Sequence, residues 1–187
     1  MPRRSYAHYC AVSRALDLVG DRWTLLVVRE LCGGPRRYSD LLADLPGIST
    51  DMLATRLKDL ERDGLLTHHR NGMRSSYELT ESGLALRPVL DALSAWGTPL
   101  LGERTPTDAI RAHWLALPLG RAVAGLVPAG TVTVWIGETV WHYVITAEGI
   151  THHDGPAPAA DRELRLSLAE ATEIAAGARS LTEPAGA

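Results

Sequence analysis

The stretch RRYSDLLADLPGISTDMLATRLKDLERDGL, residues 36–65, places two short apolar-striped segments on either side of Pro46-Gly47. Tyr38, Leu41, Leu42 and Leu45 recur at helical spacing in the first, and Leu53, Leu57 and Leu60 in the second. Ser39 is read as the cap of the first helix and Ser49 as the cap of the second, with Gly64 as its stop. Burying the second leucine stripe turns Thr50, Asp51, Thr55, Lys58, Asp59 and Arg62 outward and leaves Arg56 on the flank. Two readings compete: an ordinary helical hairpin within a bundle, or a DNA-reading head. A polar face opposite a leucine stripe is usually just solvated, so the flanking sequence has to decide.

Upstream, residues 13–34 carry Leu16, Val19, Trp23, Leu26, Val27 and Leu31 at helical spacing, broken at Gly20-Asp21. Asp21 is the expected cap of the second of these helices, and Gly33-Gly34-Pro35 ends it. Downstream of Leu65 the period changes to two. LLTHHRN and SSYELT are short strands around an Asn71-Gly72 turn. Thr80 caps a further helical stretch, TESGLALRPVLDALSAWG, which Pro88 should kink or restart. Its Leu90, Leu93 and Trp96 form an apolar stripe that a small domain cannot bury alone, and residues 98–108 read as a linker.

Helix, Pro-Gly turn, helix and hairpin, in that order, form the winged helix-turn-helix layout. In that layout Ser49, Thr50, Asp51, Thr55, Arg56 and Lys58 approach base edges in the major groove. Arg36, Arg37 and Tyr38 stand where phosphate contacts are expected, and His69, Arg70, Asn71 and Arg74 lie on the wing.

The rest of the chain reads differently. A helix is expected near residues 108–117, then TVTVWIG and TVWHYVIT as a hairpin about Gly137-Glu138, then GITHHDG and RELRLSL as strands and AEATEIAAGA as a helix. The fold expectation is therefore α+β: a winged helix-turn-helix domain over residues 1–104 and a small α+β domain with an antiparallel-type sheet over residues 105–187.

Composition agrees with two small domains. The 187 residues are 45% hydrophobic, with a net charge of −3. The basic side chains concentrate in the first part: 14 basic against 13 acidic groups up to Arg104, and 5 against 9 beyond it. No run approaches the roughly 18 apolar residues of a membrane span, and two arginines without an apolar run behind them do not make a secretory signal. The expectation is a cytoplasmic protein without membrane partners.

A resemblance adds to this reading. The early Cys10, AL…GDRWTLLVVREL, RRYSDL, LPGIS, RLKDLERDGL, YELTESG and the terminal WG, spread in order over residues 9–97, closely resemble the HxlR family of bacterial winged-helix regulators. The resemblance implies a homodimer on a pseudo-palindromic double-stranded operator. It places Leu16, Leu90, Leu93 and Trp96 at the dimer surface and aligns Cys10 with a cysteine that many members use to sense electrophiles or oxidants. Chemically, Cys10 lies just before a helix, where a thiolate is favoured. The alternative for Cys10 is a small hydrophobe at the dimer seam, and Cys32 reads as structural. Two departures stand out. The wing is short and lacks the family's proline-containing insert, and Thr50-Asp51 replaces the usual Pro-basic pair. The operator sequence therefore does not carry over.

Residues 108–181 resemble sterol-carrier-protein-like domains, which implies a cavity for an apolar molecule. Trp114, Trp135, Trp141, His142 and Tyr143 are its candidate lining, with packing in the domain's own core as the competing role. The pairs His68-His69 and His152-His153 point to opposite faces of strands and make no metal set. No cofactor is expected, and no nucleophile-base spacing argues for an enzyme. Three functions follow as expectations: a repressor answering to an apolar small molecule, a regulator switched through Cys10, and a lipid carrier with a helical accessory domain.

Overall fold

In the computed structural model, which describes residues 5–71 and 74–181, the chain opens with α1 (Ala11–Val19), α2 (Thr24–Leu31), α3 (Tyr38–Asp44) and α4 (Thr50–Arg62). Ser49 caps α4 as expected, its hydroxyl accepting from the Met52 N–H at 3.2 Å. The expected caps Ser39 and Asp21 act otherwise. Arg37 occupies the capping place of α3, so Ser39 falls inside the first turn and donates to Asp40. Asp21 lies one turn before α2, gives its carbonyl to the Thr24 N–H at 3.1 Å, and turns its carboxylate to Arg56 of α4. Gly47 has a φ of 91° in the turn between α3 and α4, a conformation open to glycine without strain.

The two strands β1 (Leu66–Asn71) and β2 (Arg74–Leu79) pair antiparallel from Leu66↔Leu79 to Asn71↔Arg74. Gly72, half of the expected Asn71-Gly72 turn, lies outside the described residues, as do the side chains of Asn71 and Arg74. Arg36 bridges to Tyr77 through both backbone hydrogen bonds, 2.9 and 2.8 Å, adding a one-residue third strand. Val27, Val28 and Leu31 of α2, Leu41, Leu45, and Leu53, Leu57 and Leu60 of α4 are buried with Leu66 and Leu79. Full burial of each such side chain contributes about 1.5–3 kcal/mol, so this shared core fixes the angle at which α4 is presented.

Thr80 caps α5 (Glu81–Leu84) and also donates to the Gly64 carbonyl at 2.6 Å, tying the end of α4 to the end of the wing. The helical stretch then restarts as α6 (Arg87–Gly97), with Pro88 in its first turn. The chain divides between residues 87 and 88 into two compact units, Met1–Arg87 and Pro88–Ala187.

Within the second unit a 3₁₀ turn (Ala112–Leu115) runs into α7 (Ala116–Ala124). This helix lies later than the expected 108–117 because Pro118, which lacks an N–H, sits in the first turn, where none is needed. The strands β3 (Gly130–Ile136), β4 (Thr139–Thr146), β5 (Gly149–Asp154) and β6 (Arg162–Leu166) form one sheet in the order β5-β4-β3-β6. The sheet is mixed rather than antiparallel, since β6 pairs parallel to β3. The loop after β5 passes to the far edge of the sheet, and β6 runs there in the same sense as β3 and β5. Finally, α8 (Leu168–Ala175) begins at a reciprocal cap between Ser167 and Glu170. Val132, Val134 and Ile136, with Trp141, Tyr143, Ile145 and Leu164, pack with Leu119 and Val123 of α7 and Ala171 and Ile174 of α8. No helix among the described residues is long and apolar enough to cross a membrane.

Candidate nucleic-acid interface

The leucine stripe of α4 faces the core, and the opposite side carries Thr50, Asp51, Met52, Ala54, Thr55 and Lys58, all exposed. Met52 and Ala54 were not among the expected reading residues. Their only sequence signal was a place off the stripe in the first two turns. The start of α4 is anchored from below, where Tyr38 donates its hydroxyl to the Thr50 carbonyl at 2.8 Å. The Thr55 hydroxyl turns back to the Asp51 carbonyl at 2.7 Å. Ser49 is occupied by its capping bond. Thus Ser49, Thr50, Asp51, Thr55 and Lys58 lie exposed over the start and first three turns of α4, with Tyr38 supporting that start.

Two expected DNA-contacting arginines are held elsewhere. Arg36 sits in the bridge to β2 and pairs with Asp44 at 3.3 Å. Arg56 pairs with Asp21 and with Asp59, the latter at 3.1 Å, and its side chain is only 15% exposed. Both guanidiniums link neighbouring elements: Arg36 joins the bridge to the end of α3, and Arg56 joins α4 to the approach to α2. By contrast Arg37 is exposed beside α3.

On the wing His69 pairs with Glu78 at 2.8 Å, and Arg70 reaches Glu61 of α4 at 3.4 Å while staying largely exposed. His68 stacks on Tyr77, centroids 4.2 Å apart, and bonds the Ser75 hydroxyl. Burial first, then the nearby Arg70, pushes the His68 imidazole below its ordinary range. The unit Met1–Arg87 holds 13 basic and 11 acidic side chains, whereas Pro88–Ala187 holds 6 and 11. The field that favours a polyanion therefore belongs to the first unit.

Cys10 stands in the capping place of α1 and is exposed, while Cys32 is buried. The Ser13 backbone N–H, then its hydroxyl and the Val12 N–H, lie toward the sulfur and hold its pKa below the ordinary thiol value, although no full capping hydrogen bond forms. Nearby Tyr9, Val12 and Leu16 are exposed apolar groups, and so, in the second unit, are Val89, Leu93 and Trp96. Leu90 differs from its expected place on an open stripe: it is buried.

The expected aromatic pocket does not assemble. Trp141 and Tyr143 face the helices and are buried, and Tyr143 donates to the Ala116 carbonyl at 2.6 Å. Trp135 lies opposite Val140 in the register, which puts it on the other face of the sheet with His142; there the Arg165 guanidinium covers its ring at 4.9 Å. Trp114 sits in the 3₁₀ turn beside Arg111. Four aromatic side chains and a histidine thus occupy three places. The cleft present in this unit, about 630 Å³, is lined instead by residues such as Pro99, Pro118, Ala122, Leu126, Ile174 and Leu181.

A supported helix at the end of a Pro-Gly turn, followed by a two-stranded wing, defines a helix-turn-helix protein of the winged kind. The family model for the HxlR-like helix-turn-helix matches residues 18–105. The HTH-type transcriptional regulator YvaP of Bacillus subtilis, itself uncharacterised, is 38% identical over 88 residues, which is 46% of this chain and 82% of YvaP. The regulator YodB of the same species is 36% identical over 85 residues, 44% of this chain and 76% of YodB. A crystal structure of quinone-bound YodB shares 36% identity and covers 47% of this chain and 96% of that one, with a TM-score of 0.42. The chain belongs to the HxlR-like helix-turn-helix family of transcriptional regulators.

Proposed function

We propose that this regulator binds a pseudo-palindromic DNA operator as a homodimer and represses transcription, with the first two turns of α4 in the major groove and the wing against the adjoining backbone. The observation that carries the reading is the exposed face Thr50–Lys58 on a helix whose other side is locked by three buried leucines and whose start is held by Tyr38. Arg37, Lys58 and Arg70 supply the phosphate contacts, as do Asn71 and Arg74 on the sequence expectation for the wing. Arg36 and Arg56 contribute by positioning, through their carboxylate partners. The test is a gel shift on the DNA upstream of the protein's own coding region. Lys58→Ala and Arg70→Ala should each weaken binding and flatten its salt dependence; unchanged binding in the double variant would remove the basis of the proposal.

A thiol input is the second reading, favoured by the exposed Cys10 and its lowered pKa. The relative YodB has been crystallised with a quinone bound. For this chain, Cys10→Ser should abolish operator release by a quinone while leaving operator binding intact. The second unit, read as sterol-carrier-protein-like, offers the cleft between α7 and α8 to an apolar effector. Native mass spectrometry of the purified protein tests that role.

A further inference from the structure

We propose that Asp51 is the specificity-determining residue of α4 and selects a cytosine in each half-site through the base's N4 amino group. The inference rests on α4 entering the major groove, as proposed above. It begins from what the exposed face of that helix still has to offer. Arg56, by type the guanine reader, is engaged by Asp21 and Asp59. The hydroxyls of Ser49 and Thr55 are bonded to Met52 and Asp51 backbone groups. Arg62, near the far end of the helix, pairs with Asp59 and Asp63. Ser49 keeps its O–H donor and Thr55 only its lone pairs. Among the described residues, the charged side chains on the exposed face from Ser49 to Lys58 are the Asp51 carboxylate and the Lys58 ammonium, and Asp51 is the one of the two that can only accept. Ala54, Met52 and the Thr55 methyl add apolar surface suited to thymine methyl groups.

A carboxylate can only accept hydrogen bonds. In the major groove guanine shows two acceptors and thymine shows one, so each repels it. Adenine places an acceptor beside its donor, whereas cytosine shows a donor alone. Desolvating a charge against the wrong base leaves it unpaired, which makes the discrimination one of exclusion as much as attraction. An anion facing phosphates also lowers affinity for every duplex, so Asp51 exchanges general attraction for choice of base. A carboxylate at this position additionally favours the helix start. That role concerns stability alone and leaves base preference untouched.

The experiment is selection by the full-length protein from a randomised duplex pool, followed by anisotropy titration of the enriched site. The wild-type motif should hold a fixed cytosine in each half-site, and replacing it should weaken binding about five- to tenfold, the lower end of a direct base contact. Asp51→Asn should shift that position toward adenine, which an amide pairs bidentately, and should raise affinity for unrelated duplex. Asp51→Ala should relax the position, whereas Lys58→Ala should weaken all sites alike. A wild-type motif without the cytosine, or the same motif from a folded Asp51→Asn protein, overturns the assignment of Asp51. Failure of the folded wild-type protein to enrich any sequence overturns instead the reading of α4 on which the assignment rests.

Discussion

Asp21 lies 35 residues before Arg56 in the chain, and its role depends on that distant partner. From the sequence it is a cap; in the fold it is half of an ion pair that fixes a flank of α4. The same holds for Arg36, a cation by composition and a bridge residue by position. Cys10 is the reverse case, since the groups that lower its pKa belong to Val12 and Ser13, its near neighbours in the chain, and only its place before a helix was read from the sequence. Iodoacetamide should therefore modify Cys10 and spare the buried Cys32 in the native protein. The pH midpoint of that reaction, followed by peptide mass spectrometry, should fall below that of a cysteine in the denatured chain. Equal midpoints would show that the N–H groups of Val12 and Ser13 do not stabilise the thiolate.

Elements were read correctly where their signals are local. The Ser49 and Thr80 caps and the alternation of β3 and β4 show this. The split of the aromatic set was also open to a closer reading. A two-residue turn at Gly137-Glu138 sets Ile136 opposite Thr139, so Trp135 and Trp141 must face opposite ways. At this scale Gly83 is the tightest joint. A methyl group there would strike the Leu65 carbonyl, a backbone atom that cannot yield cheaply. Gly83→Ala should cost about 3 kcal/mol, as overpacking does, whereas Gly97→Ala, with open space around it, should leave the melting temperature nearly unchanged. Thermal denaturation of the two variants makes the comparison.

The wing carries a pH dependence of its own. The His68 pKa is depressed in the fold, chiefly by burial and then by Arg70, against Glu61, which acts the other way. Its contribution to stability is whole above the unfolded imidazole value of about 6.5. As pH falls through that value the unfolded chain binds a proton that the fold resists, and stability declines until the lower folded pKa is passed. Between pH 8 and 5 the melting temperature should therefore fall less steeply in His68→Gln than in the wild type; parallel curves would assign the decline to other groups.

For the whole molecule the open question is what covers its exposed apolar groups. Trp96 is 72% exposed on α6, near Leu93 and Val89, and Tyr9, Val12 and Leu16 are exposed on and before α1. Surfaces of this kind mark an interface, and a twofold partner would present the same groups in return. Analytical ultracentrifugation should find a dimer for the wild type and a monomer for the Leu93→Glu, Trp96→Glu double variant, with operator affinity lost in parallel. A monomeric wild type at micromolar concentration would end the dimer proposal.

The sequence by itself determined the helix-turn-helix order, the leucine stripe that aims α4, the strand positions of both sheets and the family. Each of these is written in turn residues, caps and periodicities that act over a few neighbouring positions. Only the tertiary structure decided which arginines are engaged, that Leu90 is buried and that β6 runs parallel to β3. Those outcomes depend on contacts between residues far apart in the chain, where a charge takes the partner that the packed core brings to it.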